Sequence, residues 1–188
     1  KHYDEFVKRF VERAKQIPYG DPADPNVIIG PIINERQIEK ILGFVELGKS
    51  EGAKLVLEGQ RIGNVLTPFV FADVKNDSQL AQSEIFGPVA TIIPFDTDEE
   101  GIRLANETEY GLSAAVFTKD LERGVDIARR LESGMAHVND QTVNITPETP
   151  FGGEKCSGLG RYGGEFAFEE FTTVKWVSVQ KERRHFPF

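Results

Sequence analysis

The apolar residues near the start of the chain recur with the spacing of amphipathic helices. One stripe consists of Phe6, Val7, Phe10, Val11, Ala14 and Ile17. A second stripe consists of Ile38, Ile41, Leu42 and Val45 and ends before Gly52. Asn34 and Gln37 have the spacing of an N-cap residue and its reciprocal partner. The pattern therefore predicts a helix over residues 2–17 and another that begins at Asn34.

Short apolar runs alternate with helical patterns through the middle of the chain. Strands are predicted at residues 54–59, 69–74, 89–95, 112–118 and 135–139. Helices capped by Thr97 and Asp120 are predicted between the later strands. This alternation is typical of an α/β fold in which helices cover a mostly parallel sheet.

The C-terminal part has a different pattern. A glycine-rich loop, residues 150–164, leads to a short helix predicted around residues 166–171. Residues 172–180 then predict a strand without a partner in this chain, and such a strand must pair or be protected. The basic residues in 181–188 favour a solvated tail.

The composition of the 188 residues narrows the class of protein. With 39% apolar and 28% charged residues, the chain suits one globular domain that can bury a core. A net charge of −8 argues against a nucleic-acid binder with a basic surface. No apolar run approaches the roughly 20 residues that span a bilayer. The single cysteine favours a reducing compartment, most simply the cytoplasm.

The first residue is Lys1, and the only methionine is Met135. An initiator methionine is thus not retained at the start. We therefore expect a processed product, a trimmed chain or a piece of a longer protein.

Two features of the glycine-rich loop invite a functional interpretation. Residues 158–163, GLGRYG, match the G-x-G-x-x-G turn that holds phosphates, but that turn follows a strand and opens a helix. A loop precedes it here, which favours a packing role. Cys156 is a candidate nucleophile with His137 as its base, although a free cysteine is more often a packing residue. The histidines, His2, His137 and His185, are too scattered to predict a metal site.

The segment SEIFGPV, residues 83–89, places a carboxylate, an aromatic ring and a Gly-Pro turn directly before a predicted strand. Loops at strand ends are where α/β folds hold ligands. A simple turn between a helix and a strand explains the segment equally well. The residues alone leave both interpretations open.

An ordered series of segments resembles the C-terminal half of the aldehyde dehydrogenase superfamily. The segments are GPIINERQ (30–37), EGAKLVLEG (51–59), TPFVFADV (67–74), EIFGPV (84–89), LANETEYGLSAAVFTKD (104–120), GMAHVN (134–139) and PFGGEKCSGLGR (150–161). Any one of them could arise by chance, whereas seven in order cover nearly the whole chain. The resemblance implies part of that family's α/β catalytic domain over residues 1–171, followed by an oligomerisation strand and tail over residues 172–188.

This resemblance implies an NAD- or NADP-dependent oxidation of an aldehyde to a carboxylic acid. In the family a cysteine thiolate attacks the aldehyde, hydride passes to the nicotinamide, and an activated water hydrolyses the thioester. The nucleophilic cysteine, the general-base glutamate and the oxyanion asparagine would all precede Lys1. No catalytic residue is therefore expected in this chain, and Cys156 is not at the nucleophile's position.

Cofactor contacts carry over residue by residue from the resemblance. Glu84 matches the glutamate that accepts hydrogen bonds from the nicotinamide ribose. Phe86 matches the aromatic residue beside the nicotinamide, and Leu112 matches a neighbouring apolar contact. Gln37 matches a residue that reaches the same ribose, with the helix-capping role as the alternative.

Substrate contacts and assembly are implied in the same way. Phe151 matches an aromatic residue of the substrate tunnel, and Thr142 and Asn144 lie in the variable loop, residues 140–149, that lines it. The sequence HVNDQTVN is similar to that of members acting on benzaldehyde or vanillin. Residues 172–180 match the strand that joins the sheet of a partner subunit, which implies a homodimer or homotetramer.

Two further hypotheses stay open. A truncated, non-catalytic chain could serve as an oligomerisation partner of full-length subunits. An independent hydrolase or transferase could use Cys156 as its nucleophile. Hybrid oligomers with a full-length relative would distinguish the first of these from an enzyme fragment.

Overall fold

The computed structural model describes residues 2–187, and the chain divides into two compact units, Lys1–Thr108 and Glu109–Phe188. The first unit contains α1 (Tyr3–Ala14), α2 (Glu35–Ser50), β1 (Lys54–Leu57), β2 (Arg61–Ile62), β3 (Val65–Leu66), β4 (Phe69–Ala72), α3 (Gln79–Gln82), β5 (Val89–Thr91) and α4 (Asp98–Asn106). The second contains β6 (Tyr110–Gly111), β7 (Ser113–Val116), α5 (Leu121–Arg130), β8 (Met135–Val138), β9 (Glu154–Lys155) and α6 (Phe166–Phe171). The functional boundary expected between residues 171 and 172 is a different division and stays a prediction.

Side-chain caps begin three of the helices at the predicted residues. Asn34 Oδ1 accepts a hydrogen bond from the backbone N–H of Gln37 at 2.9 Å. Thr97 Oγ1 and Asp120 Oδ1 make the same kind of contact at the starts of α4 and α5. These oxygens satisfy N–H groups that have no partner within the helix. The predicted N-caps are therefore confirmed.

The apolar face of α2 is confirmed, whereas that of α1 is narrower than its pattern predicts. Ile38, Ile41 and Val45 of α2 are all buried. On α1, Ala14 is buried, but Phe6 is 54% exposed and lies against Phe10 with 5.9 Å between the ring centroids. The helix contacts the rest of the unit through the stripe that contains Ala14, which leaves these two rings outside it.

Strand β4 is the centre of the three-stranded sheet of the first unit. The strand order is β1-β4-β5, and all four residues of β4 are buried. Strand β5 pairs with β4 in parallel, whereas β1 pairs with it antiparallel. Phe71 of β4 joins Ile38 and Ile41 of α2 in the larger apolar cluster, so this helix covers the sheet.

The second unit is built on a parallel pair, β7 and β8, with α5 packed against both strands. Gly124 of α5 allows this close approach, because a Cβ there would lie 2.7 Å from Val138 Cγ1. A parallel pair needs a crossover between its strands, and α5 supplies it. The predicted α/β class is confirmed, and β4–β5 and β7–β8 are the parallel pairs.

The hairpin of β2 and β3 is tied to the start of α2 by a double ion pair. Arg61 donates to both carboxylate oxygens of Glu35, at 2.7 and 2.6 Å. These hydrogen bonds hold the pKa of Glu35 below its ordinary value. The pair therefore stabilises the fold at pH values above the ordinary carboxylate pKa. This contribution is lost as the pH falls through the lowered pKa of Glu35. Because both side chains are well exposed, the contribution is small.

The strand predicted over residues 172–180 is not formed within residues 2–187. A strand needs a neighbour to accept and donate its backbone hydrogen bonds, and the described residues provide none. Val174 and Trp176 are almost completely exposed there. Among residues 2–187, no helix combines the length and apolar character needed to cross a bilayer.

We expect Phe71→Ala to lower the free energy of unfolding by about 3–5 kcal/mol, because it leaves a cavity between β4 and α2. Urea denaturation of the purified chain measures this loss. Phe168→Ala is the control, since this ring is 74% exposed and its removal should change stability little. Equal losses in the two variants would contradict the placement of the core.

Candidate cofactor and substrate site

The segment predicted to hold a ligand forms a fixed loop between α3 and β5, which we call the Glu84 loop (residues 84–87). Its following residue, Pro88, accepts a hydrogen bond from Phe69 of β4 at 2.8 Å. Gly87 lies directly against α2, where a Cβ would be 2.6 Å from Ile41 Cδ1. The sheet and α2 therefore fix the C-terminal end of this loop.

Phe86 has an unusual conformation at the tip of the Glu84 loop. Its φ is +52°, in the left-handed region that residues with a side chain rarely adopt. Its ring is 74% exposed, so the conformation is not explained by burial of the ring. Glu84 is exposed as well. Strained backbone of this kind is found at functional sites, where surrounding contacts maintain it.

Gln37 contacts this loop from the first turn of α2. Its Nε2 donates to the carbonyl oxygens of Ile85 and Phe86, at 3.0 and 3.3 Å. We expected this side chain to form a hydrogen bond with the N-cap residue, Asn34, as its reciprocal partner, and that interpretation is wrong. The amide is turned instead toward two carbonyl groups, 48 and 49 residues later in the chain, that need donors.

The side chains of the Glu84 loop suit a nucleotide cofactor. A carboxylate accepts hydrogen bonds and donates none when ionised, which fits the two hydroxyl donors of a ribose diol. An exposed phenyl ring offers a flat face to a planar heterocycle. Glu84 and Phe86 present both groups on one fixed loop, with Gln37 beneath it. Their individual roles toward a cofactor stay predictions.

The remaining predicted contacts belong to the second unit, where three of them lie at the start of β7 and β8. Leu112 is 42% exposed and directly precedes β7. Ser113 Oγ donates to the carbonyl oxygen of Thr142 at 3.0 Å, which brings the variable loop to the same place. Phe151 is half-buried and pairs with Tyr162 through two backbone hydrogen bonds of 2.7 Å.

The close approach of Gly134 and Gly152 brings Phe151 to this end of the strands. Gly134 immediately precedes β8, and its N–H donates to Gly111 at 2.9 Å. A Cβ on Gly134 would overlap the carbonyl group of Gly152. Only glycine allows two backbones to approach this closely, so the Gly134 position fixes where Phe151 lies.

Asp140 organises the variable loop, residues 140–149. Its carboxylate accepts from the N–H of Gln141 at 2.8 Å and from Asn144 Nδ2 at 2.7 Å. The amide of Asn144 is thus held by the loop itself. All ten residues of the loop are exposed, so their side chains are accessible to a ligand. The substrate roles of Thr142 and Asn144 stay predictions.

Asn139 closes the end of β7 and β8, and sequence reasoning missed it. Its Oδ1 accepts from Thr118 N at 2.7 Å, and its Nδ2 donates to Thr118 O at 2.8 Å. The side chain thereby replaces one backbone partner of a sheet. Its φ is +58°, a conformation that asparagine tolerates better than most residues. An asparagine directly after an apolar strand was the available signal.

The glycine-rich motif at residues 158–163 is a packed loop, which confirms the structural interpretation. Glu170 Oε1 accepts a hydrogen bond from the N–H of Arg161 at 3.2 Å. A Cβ on Gly160 would overlap the same carboxylate. A negatively charged side chain of this chain occupies the place that a phosphate would need, and two anions would repel each other there.

Cys156 and His137 do not form a catalytic pair. Cys156 is exposed, and its backbone N–H donates to Glu109 at 2.9 Å. His137 lies in β8, and its Nε2 is buried without a hydrogen-bond partner among residues 2–187. A base that activates a thiol must be within hydrogen-bond reach of it. His137 is therefore not in a position to activate the thiol of Cys156.

Comparison with known proteins decides the family. The sequence profile described as "Aldehyde dehydrogenase family" matches residues 1–177. The chain belongs to the aldehyde dehydrogenase family. The predicted family resemblance is therefore confirmed.

Curated relatives in this family include enzymes named for aromatic aldehydes. The chain is 48% identical over 186 residues to benzaldehyde dehydrogenase YfmT of Bacillus subtilis (strain 168), covering 99% of this chain and 38% of that protein. It is 44% identical over 179 residues to vanillin dehydrogenase of Corynebacterium glutamicum, covering 95% and 37%. The chain thus spans well under half the length of these relatives.

Solved structures agree with this placement. A salicylaldehyde dehydrogenase from Pseudomonas putida G7, complexed with salicylaldehyde, matches with a TM-score of 0.93 at 36% identity, covering all of this chain and 39% of that one. An aldehyde dehydrogenase of Mycobacterium tuberculosis complexed with NAD+ matches with a TM-score of 0.86 at 40% identity, covering 92% and 36%. The fold of this chain is therefore part of an aldehyde dehydrogenase fold.

We expect Asn139→Ala to lower the free energy of unfolding by about 1–3 kcal/mol, because two hydrogen bonds to Thr118 are lost and alanine is strained at a positive φ. Asn139→Gly should lose less, since glycine adopts this φ freely. Urea denaturation of both variants separates the loss of the hydrogen bonds from the backbone strain at the positive φ. Wild-type stability in Asn139→Ala would show that the contact is unimportant.

Proposed function

We propose that this chain is the C-terminal portion of an NAD- or NADP-dependent aldehyde dehydrogenase that oxidises an aromatic aldehyde to a carboxylic acid. The observation that carries the proposal is the family match over residues 1–177. The aromatic substrate is supported by relatives named for benzaldehyde and vanillin, and by a structural neighbour complexed with salicylaldehyde. The single cysteine favours a cytoplasmic location.

The catalytic groups of this enzyme would lie in the part of the subunit that precedes Lys1. The proposal places the nucleophilic cysteine, the general-base glutamate and the oxyanion asparagine there. Cys156 is a poor substitute, because His137 makes no hydrogen bond to it and therefore cannot activate its thiol. This portion would then hold cofactor and substrate without reacting with either.

The cofactor would accept hydride from the substrate when bound. Glu84 would accept hydrogen bonds from the nicotinamide ribose, and Phe86 would cover one face of the nicotinamide ring. Both side chains are exposed and ready for such contacts without rearrangement of the core. Leu112, exposed at the start of β7, would add an apolar contact. Fixed groups of this kind orient a cofactor at little entropic cost.

The substrate would contact the part of the second unit that is assembled around Phe151. This half-buried ring is held by its backbone bonds to Tyr162 and suits an aromatic aldehyde. Thr142 and Asn144 would line the opening from the variable loop. Asp140 and Ser113 fix that loop, so its shape would select among substrates.

A second candidate function rests on the exposed segment 172–180. Trp176 is 92% exposed and Val179 is 81% exposed, although both are apolar. Large exposed apolar groups mark interaction sites. The segment would become a strand by pairing with the sheet of a partner subunit, which gives a homodimer or homotetramer. A chain that lacked catalysis could still assemble with full-length subunits in this way.

The purified chain should not oxidise benzaldehyde with NAD, with or without the control substitution Cys156→Ser. A chimera in which this chain replaces the matching segment of YfmT should oxidise benzaldehyde within about tenfold of the parent enzyme, because the family fold is retained. Turnover is followed by NADH absorbance.

Other results would contradict the proposal. Turnover by the chain alone that Cys156→Ser abolishes would make Cys156 the nucleophile. A chimera that unfolds cooperatively yet lacks activity would show that this segment does not serve the aldehyde dehydrogenase reaction. Turnover that survives Cys156→Ser in the isolated chain would also contradict the proposal, once mass spectrometry has shown that no full-length enzyme was co-purified.

The chain should form hybrid oligomers when it is refolded together with full-length YfmT. A chain that ends at Phe171 should form none, because it lacks the pairing segment. Trp176→Glu should weaken assembly at least about tenfold, since a charge replaces a buried ring in the complex. Native mass spectrometry measures the hybrids, and Gln60→Glu at an exposed position is the control. Absence of hybrids with the intact chain would overturn the assembly proposal.

A further inference from the structure

We propose that Gln37 is a positioning residue for the cofactor site, which acts by holding the backbone of the Glu84 loop and makes its contacts without a bound ligand. The inference rests on the proposed function, because it assigns Glu84 and Phe86 to cofactor binding. It differs from both sequence-based interpretations of Gln37, which made it a helix cap or a direct contact of the ribose.

The geometry of the amide carries this inference. One nitrogen, Gln37 Nε2, donates to two successive carbonyl oxygens, those of Ile85 and Phe86. These carbonyls belong to the two peptide units on either side of the left-handed residue, Phe86. Fixing both of these peptide planes fixes φ and ψ of Phe86. The direction in which the phenyl ring leaves the backbone is thereby set by α2.

The positive φ of Phe86 shows why such a support is needed. A phenylalanine released from its contacts would leave the left-handed region for the β or α region, because both are lower in energy for an L-residue. The exposed ring contributes little burial to prevent this. The bonds from the half-buried Gln37 amide oppose that relaxation.

The rest of the loop is anchored on either side of this point. Ile85 packs against the apolar cluster of α2 and β4, and Gly87 lies on Ile41. These apolar contacts hold the path of the chain, and neither of them is a hydrogen bond to the carbonyl of Ile85 or Phe86. Gln37 supplies those hydrogen bonds, and it stands three residues after the N-cap of the helix that carries Ile41.

The role requires a donor of a particular length at position 37. Methionine has nearly the same length and no polar hydrogen. Glutamate has the same shape, but an ionised carboxylate would repel both carbonyl oxygens. A direct ribose contact through the side-chain oxygen would survive in Gln37→Glu. The two substitutions therefore separate a role exerted through the loop from a role exerted on the cofactor.

Nuclear magnetic resonance of the ligand-free chain tests the inference directly. In the wild type, the backbone 15N order parameters of Ile85 and Phe86 should be about 0.85, the value of rigid backbone. In both Gln37→Met and Gln37→Glu they should fall below about 0.6, while those of β4 stay unchanged. Gln60→Glu makes the same change of charge at an exposed site and should leave the loop rigid.

Three results would overturn the inference. The order parameters could stay high in both Gln37 variants, they could be low already in the wild type, or they could fall equally in Gln60→Glu. Since Gln37 lies at the helix surface, at least one of its two variants should keep the fold, and the far-ultraviolet spectrum verifies this.

The chimera with YfmT connects the loop to the cofactor. There Gln37→Met and Gln37→Glu should each raise the KM for NAD about tenfold, while the chimera still unfolds in one cooperative transition. A rise in Gln37→Met alone would favour a direct ribose contact and overturn the positioning role. If the unsubstituted chimera folds but does not use NAD, the proposed function itself fails, whereas the order parameters still report on the loop.

Discussion

The packing of α2 against β4 is the constraint on which the first unit depends. Ile38, Ile41 and Phe71 are completely excluded from solvent at this contact. Burial of apolar surface contributes most where the fit is complete, so helix and strand have one relative position. That position also places Gly87 against Ile41 and brings Gln37 under the Glu84 loop. The same contact that stabilises the unit therefore shapes its candidate cofactor site.

In the second unit, hydrogen bonds and a close approach of two backbone segments position the candidate substrate residues. Its strands β7 and β8 are short, and the residues that follow them would fray without further contacts. Asn139 binds Thr118 through both atoms of its amide, and Ser113 holds Thr142. Gly134 lets the segment before Phe151 approach the strands. A variable loop can thus change its exposed side chains while its ends stay fixed.

Motif and geometry disagree at two places, and the geometry is decisive at both. The G-x-G-x-x-G spacing of residues 158–163 contains no information on what faces the loop, and Glu170 occupies that position. A cysteine and a histidine in one chain suggest a catalytic pair, yet the Nε2 atom of His137 is buried in β8 without a hydrogen-bond partner among residues 2–187. A spacing describes residues near one another in the chain, whereas a site depends on what the fold brings beside them.

The sequence by itself determined the elements whose causes are local. The period of apolar residues predicted α2 and its buried face, and cap chemistry placed the starts of α2, α4 and α5, because these signals act within a few residues. The partners of Gln37, the exposure of Phe6 and the lack of a strand beside residues 172–180 within residues 2–187 required the tertiary structure. Each depends on which distant segments of the chain the fold brings together. No local preference encodes a contact whose two halves meet only after the core has packed.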